Sequence, residues 1–185
     1  NNKWGYFPAA SVAWEMANMP FLQDHGHIVQ SLKPRISYGV TGRSGFGSYQ
    51  SLATYSTRNS YFFNGQWVTG YAPSLNANPG LAWEKLVSMN IGVDFVLLNG
   101  RLRGSIDLFD RQSQDLLYNY TAPQPPYIYS SILVNVGTTQ NRGIEVAIDG
   151  DIFSTKDFTW TMGANWSTGN TIMKNLSNNI YKASY

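Results

Sequence analysis

The sequence contains no cysteine, so disulfide frameworks, thiolate metal sites and cysteine nucleophiles are excluded together. Charge is scarce at 13% of residues, and the net charge of +2 comes from scattered Lys and Arg with no basic run, so no nucleic-acid partner is expected. No stretch of about 18 apolar residues occurs, so no transmembrane helix is present. Barrel strands escape that test, because a hydropathy window averages away their alternating signal. The only histidines, His25 and His27, flank Gly26 in an irregular connection without clustered carboxylates. They read as a solvated turn rather than a metal pair, and neither catalysis nor a cofactor is expected.

What is abundant points to strands. Hydrophobic residues make up 43% of the chain and aromatics 15%, with 12 Tyr, 9 Phe, 6 Trp and 17 Gly, a composition of strands, tight turns and amphipathic surfaces. The chain opens at Asn1 with no initiator Met, basic n-region or apolar h-region, as expected of a processed product or a piece of something longer.

The clearest pattern runs from Leu81 to Arg111. Trp83, Lys85, Val87, Met89, Ile91, Val93, Phe95 and Leu97 alternate with Glu84, Ser88, Asn90, Gly92 and Asp94, giving one greasy and one polar face. Asn99-Gly100 then supplies the φ > 0 pair of a type I′ turn. Pairing across it predicts Leu97 opposite Leu102, Val93 opposite Ile106 and Ile91 opposite Leu108. Upstream, Tyr6 to Trp14 is a short strand with Ala10, Val12 and Trp14 on one face, and Leu32 to Gly42 is another, with Pro34 predicting a bulge or a later start. Met16 to Met19 suits a helical turn before Pro20. Tyr61 to Tyr71 carries its own Asn64-Gly65 turn inside a long connection, Gly42 to Gly80. A second connection, Gln112 to Gln140, holds Pro123, Pro125 and Pro126, which forbid regular pairing in its middle. In a last hairpin, Arg142 to Ile152 and Phe158 to Thr168, both apolar sets are even-numbered. That predicts a five-residue loop, Phe153 to Asp157, with Ile152 opposite Phe158. Gly150 then falls opposite Trp160 as Gly104 falls opposite Phe95, two glycines covered by cross-strand aromatics.

Short turns therefore alternate with long connections, the layout of an antiparallel transmembrane β-barrel with short periplasmic turns and long extracellular loops. The later strands reach the roughly 9 to 11 residues that a tilted strand needs to cross a bilayer. Outer-membrane lipid would then cover the greasy face. Lys85 is the main charge on that face, and two residues from Trp83, near the long-loop end, it can snorkel. A soluble β-rich carbohydrate-binding module alternates in the same way, and the loop-length pattern favours the membrane reading.

Several stretches carry a family resemblance. LKPRISYGVTG at 32 to 42, NPGLAWEKLVSMNIGVDFVLLNGRLRGSIDLFDRQSQDLL at 78 to 117, NVGTTQNRGIEVAIDGD at 135 to 151 and FTWTMGANWSTGN at 158 to 170 resemble, in order and spacing, the SusC-like (SusC/RagA-type) TonB-dependent outer-membrane transporters. The resemblance implies a 22-stranded barrel, the size class of plugged outer-membrane transporters, in the outer membrane of a Gram-negative bacterium. It further implies an N-terminal plug, a SusD-like surface lipoprotein as partner, and import of glycans or oligopeptides using energy relayed by the TonB complex. Plug and TonB-contacting segment are missing, and Asn175 to Tyr185 reads as loop. Residues 1–185 are therefore expected to be an internal segment of the barrel that cannot transport alone.

Two sets of candidate functional residues follow. On the polar face, Asp94 is predicted opposite Ser105 with Arg103 and Asp107 diagonal, a lumen-facing wall network that would help dock a plug and whose simpler role is structural pairing. In the loops, Tyr61, Trp67, Tyr71, Tyr127 and Tyr129 offer aromatic faces that stack on sugars or cover peptide side chains. The simpler reading of each is loop-on-loop packing or contact with a partner protein.

Overall fold

The computed structural model describes residues 4–23 and 28–176. Among these described residues, ten strands form three antiparallel sheets. The main sheet has six strands: β1 (Ala9–Ala13), β2 (Val29–Arg43), β5 (Glu84–Leu97), β6 (Leu102–Gln114), β9 (Thr138–Ser154) and β10 (Thr159–Asn175), in that spatial order. Two hairpins stand in the long connections: β3 (Tyr55–Phe63) with β4 (Gln66–Pro73), and β7 (Leu117–Thr121) with β8 (Ser131–Asn135).

The central register follows turn chemistry. Asn99 and Gly100 have φ of 57° and 79°, and Arg101 N–H donates to the Leu98 carbonyl at 3.2 Å. Leu97 accordingly faces Leu102, Val93 faces Ile106 and Ile91 faces Leu108. Phe95 covers Gly104, its Cζ lying 2.6 Å from where a Cβ would stand. The Asn64-Gly65 turn forms likewise, and the strands it joins reach from Tyr55 to Pro73.

Four expectations are corrected. β2 runs straight through Pro34, and its irregularity falls between Val29 and Ser31. The Pro34 carbonyl accepts Trp14 N–H at 3.0 Å, so its nitrogen also faces the β1 side and the ladder to β5 loses no donor. Met16 to Met19 do close a turn, Met19 N–H donating to the Met16 carbonyl at 3.0 Å, but the helix follows it, as Pro20–Gln23, where proline suits the first helical position. The second connection is shorter than expected, because β6 extends to Gln114 and β9 starts at Thr138, and the three prolines occupy only the tip between β7 and β8. In the last hairpin, Thr155 N–H donates to the Phe158 carbonyl at 2.7 Å and the Thr155 hydroxyl accepts Phe158 N–H at 3.1 Å, closing a tighter loop. A bulge at Ile152 then places Gly150 opposite Met162, so Trp160 does not cover it. His25, His27 and residues 177–185 lie outside the described residues.

The sheet is inside out by the standards of a soluble domain. Ile91 is 45% and Leu108 49% exposed on its greasy face, whereas Asp107 on the polar face is 8% exposed. On the greasy face, polar side chains gather at the long-loop end: Lys85, Asp110, Gln112, Gln140 and Arg142 follow Met89, Leu108 and Ile144 along their strands. Lys85 Nζ there lies 3.7 Å from Asp115 Oδ2. The buried apolar cluster is small and sits under the second loop hairpin, where Ala122, Ile132, Val134 and Val136 pack with Tyr120 and Tyr127.

Candidate functional site

Two assemblies could carry function, and both arise where strand chemistry gives way to side-chain chemistry. The first lies on the polar face of the main sheet. Arg35, Gly92, Asp107 and Glu145 occupy one row across β2, β5, β6 and β9. Because Gly92 has no side chain, Arg35 passes over β5, and its Nη2 reaches Asp107 Oδ2 at 2.7 Å while Nε lies 3.1 Å from Asp94 Oδ2. Asp107 Oδ1 rests against Gly92, buried and without a hydrogen-bond partner. Asp94 does stand opposite Ser105. Arg103, however, pairs with Asp151 at 3.2 Å rather than with Asp94, because β9 brings that carboxylate alongside it. Arg35 was the residue missed. The alternation of β2 placed it on the polar face, and only the β2–β5 register reveals its reach.

The second assembly is built from the two long connections. Asn76, Asn78 and Asn135 hold them together by replacing strand hydrogen bonds with side-chain amides. Asn76 Nδ2 donates to the carbonyls of Tyr129 (2.6 Å) and Ser131 (2.9 Å), and Asn78 Nδ2 to that of Leu133 (2.9 Å). Asn135 accepts Ala82 N–H at 2.8 Å and donates to the carbonyls of Ala82 (2.8 Å) and Asp115 (2.9 Å). Glu84 accepts Leu117 N–H at 2.8 Å. The stretches Asn78 to Glu84 and Asn135 to Gly137, far apart in sequence, thus meet in one joint above the sheet.

The five loop aromatics divide within this assembly. Trp67 and Tyr71 share one face of the β3–β4 hairpin and are 74% and 70% exposed, with Phe62 at 5.5 Å from Trp67. Tyr61 pairs with Val68 and so takes the opposite face, also exposed. Tyr127 packs against the small apolar cluster. Tyr129 ties the loops together: its hydroxyl donates to the Pro73 carbonyl and accepts from Arg58 Nη2 at 2.6 Å. Trp67 and Tyr71 are therefore open to a ligand or partner, Tyr127 packs within its own connection, and the Tyr129 hydroxyl is committed to loop-on-loop contact while its ring lines a cleft between the connections. Among the described residues no three His, Cys, Asp or Glu side chains converge as metal ligands.

Comparison with known proteins gives a consistent picture. The family model for the TonB dependent receptor-like beta-barrel matches residues 1–185. The chain is 37% identical over 167 residues to TonB-dependent receptor P39 of Formosa agariphila, covering 90% of this chain and 16% of that protein. It is 34% identical over 170 residues to TonB-dependent receptor SusC of Bacteroides thetaiotaomicron, covering 89% and 17%. The structure of the RagAB peptide importer in its open-open state superposes with a TM-score of 0.84 and 28% identity over 95% of this chain and 19% of that one. The chain spans about a sixth of the length of these curated relatives.

Proposed function

Because the chain belongs to the TonB-dependent receptor β-barrel family, we propose that it forms part of the wall of an active transporter in the outer membrane of a Gram-negative bacterium. The whole protein imports glycans or oligopeptides with energy relayed by the TonB complex, and a SusD-like surface lipoprotein is its partner. The solute crosses unchanged, so the protein is no enzyme and needs no cofactor. On this reading residues 1–185 are an internal segment, and the plug and further strands come from the rest of the protein, pairing with the edges at β1 and β10.

The observation that carries the proposal is the inverted burial of the main sheet. A greasy face with Ile91 and Leu108 about half exposed, backed by a polar face where Asp107 is nearly buried, suits lipid outside and a hydrated lumen inside. Strands of 13 to 17 residues exceed what a bilayer needs. In a soluble sandwich a second sheet would cover Ile91 and Leu108, and neither loop hairpin does so. Asp94, Arg103, Ser105 and Asp107 then face the lumen, where the partly exposed Asp94 and Arg103 side chains offer a plug polar contacts. Trp67, Tyr71 and Tyr61 stand at the extracellular side, open to solute or lipoprotein.

Fractionation and uptake test this reading on the intact parent protein. It should partition with outer membranes, require detergent for extraction, and take up solute only while the TonB complex is energised. Trp67→Ala should weaken uptake. A parent protein that is soluble and monomeric without detergent would exclude the barrel.

A further inference from the structure

The joint between the two long connections encloses a cleft of about 220 Å3, lined in part by Gln50, Leu75, Asn119, Tyr129, Ser131 and Leu133. Resting on the transporter reading, we propose that this cleft is a subsite for one sugar unit of a neutral oligosaccharide.

The Tyr129 ring is fixed before any ligand arrives. Its hydroxyl is held by Pro73 and Arg58, while its backbone N–H donates to Asn76 Oδ1 at 3.2 Å and its carbonyl accepts Asn76 Nδ2 at 2.6 Å. A platform locked at both ends loses little freedom on binding. Around it stand groups that the fold does not use. Asn119 faces Leu133 across β7–β8 and shares that face with Ser131, turned away from the buried side of Ile132 and Val134. Gln50 commits only its Oε1, to Gly47 N–H at 3.3 Å. Amides and hydroxyls that both donate and accept match sugar hydroxyls, which do the same. The ring with Leu75 and Leu133 offers apolar surface for a C–H face.

Charge and backbone geometry decide the ligand class. None of the residues lining the cleft is charged, so neither a uronate nor the termini of a short peptide would find a counter-ion among them; Arg58, 2.6 Å from the Tyr129 hydroxyl and 6.0 Å from the ring centroid, is already committed to that phenol. One way in which extended peptides dock is by adding a strand to a free edge. Here β8 is taken on both sides, by β7 and by the Asn76 and Asn78 amides on the Ser131 and Leu133 carbonyls. At about 220 Å3 the cleft is also smaller than the roughly 300–1,000 Å3 typical of pockets for drug-sized ligands, so it holds one unit of a longer chain.

Calorimetry on the intact transporter in detergent tests the assignment with three sets of probes. These are neutral oligosaccharides of glucose, mannose and xylose, uronic-acid oligosaccharides, and mixed peptides of a few residues. At least one neutral oligosaccharide should bind, with Asn119→Ala and Gln50→Ala each weakening it fivefold or more. Tyr129→Phe, which keeps the ring, should stay within twofold. Binding of peptides or uronates in place of neutral sugars overturns the proposal, as does binding of no probe, or sugar affinity that Asn119→Ala and Gln50→Ala leave unchanged. The wider transporter reading fails on a different result, a parent protein that needs no detergent.

Discussion

Arg35 and Asp107 meet at 2.7 Å across a strand to which neither belongs, over the one position in that row, Gly92, that has no side chain. The pair spans three strands of the wall. A Cβ at residue 92 would collide with Asp107 Oδ1 and lie 3.1 Å from Arg35 Cζ, both groups already anchored. Gly92→Ala should therefore lower the stability of the parent barrel. Arg35→Ala should cost about 1–3 kcal/mol, because it leaves the Asp107 carboxylate buried with its main partner gone. Urea unfolding in micelles measures both. The Arg35→Ala/Asp107→Ala double variant should recover part of the loss, and strict additivity of the two single variants would contradict the coupling.

Asn135 makes an analogous prediction for the loops. Its amide satisfies Ala82 N–H, Ala82 C=O and Asp115 C=O at once, tying the stretch before β5 to β8, two segments that no strand ladder pairs. Asn135→Asp keeps an acceptor for Ala82 N–H but loses both donations, and Asn135→Ala loses all three bonds, at about 1–3 kcal/mol. Amide exchange at Ala82 and Leu117 should accelerate in the order Asn, Asp, Ala at residue 135, while exchange in β5 and β6 stays unchanged. Equal acceleration in the sheet would mean that the joint is not a separate unit.

How far such features could be read from sequence depends on how local their causes are. Asn99-Gly100 fixes both the turn and, through it, the pairing down to Ile91 and Leu108, so residue chemistry alone sufficed there. In the last hairpin, alternation fixed which residues share a face but not which residues are opposite. A two-residue shift preserves parity, and the Thr155 cap with the Ile152 bulge selects the shifted register. Arg35 and Asp107 are separated by 72 positions, and their contact exists only once β2 pairs with β5. The split of the loop aromatics was hidden for a similar reason. The Tyr129 hydroxyl is occupied because Arg58 and Pro73 come from the other long connection, whereas the Trp67 and Tyr71 side chains stay exposed on the β3–β4 hairpin.

At the short-turn end, Glu15 supplies a pH-dependent anchor. Its carboxylate accepts the Ser31 hydroxyl at 2.6 Å, Leu32 N–H at 2.9 Å and Ala17 N–H at 3.1 Å. These bonds, the Ser31 hydroxyl first, hold its pKa below the ordinary glutamate value. A depressed pKa contributes stability that is present above the unfolded value, about 4.3, and is lost as pH falls through the folded one. Protection of the Ala17 and Leu32 amides, corrected for intrinsic exchange, should therefore fall with acidification below about pH 4. Glu15→Gln should remove that dependence, and an unchanged acid profile in the variant would rule out the carboxylate as its source.

The last prediction concerns the greasy face and separates lipid contact from simple burial. Ile91 and Gln112 both lie on that face, one in its apolar stretch beside Leu108 and the other at the long-loop end, where polar side chains begin. Lysine at the midplane of a bilayer costs roughly 2–4 kcal/mol, against roughly 0–1 near an interface. The native Lys85, one position before Leu86 and 3.7 Å from Asp115, already occupies the cheaper level. Ile91→Lys should accordingly destabilise the parent barrel in phospholipid vesicles by several times more than Gln112→Lys. In a soluble protein with an uncovered sheet, Ile91 is about half in water and lysine there would cost little. Equal, small effects of the two substitutions in vesicles would therefore count against lipid on this face, whereas a steep difference ties the exposed isoleucines to the membrane interior.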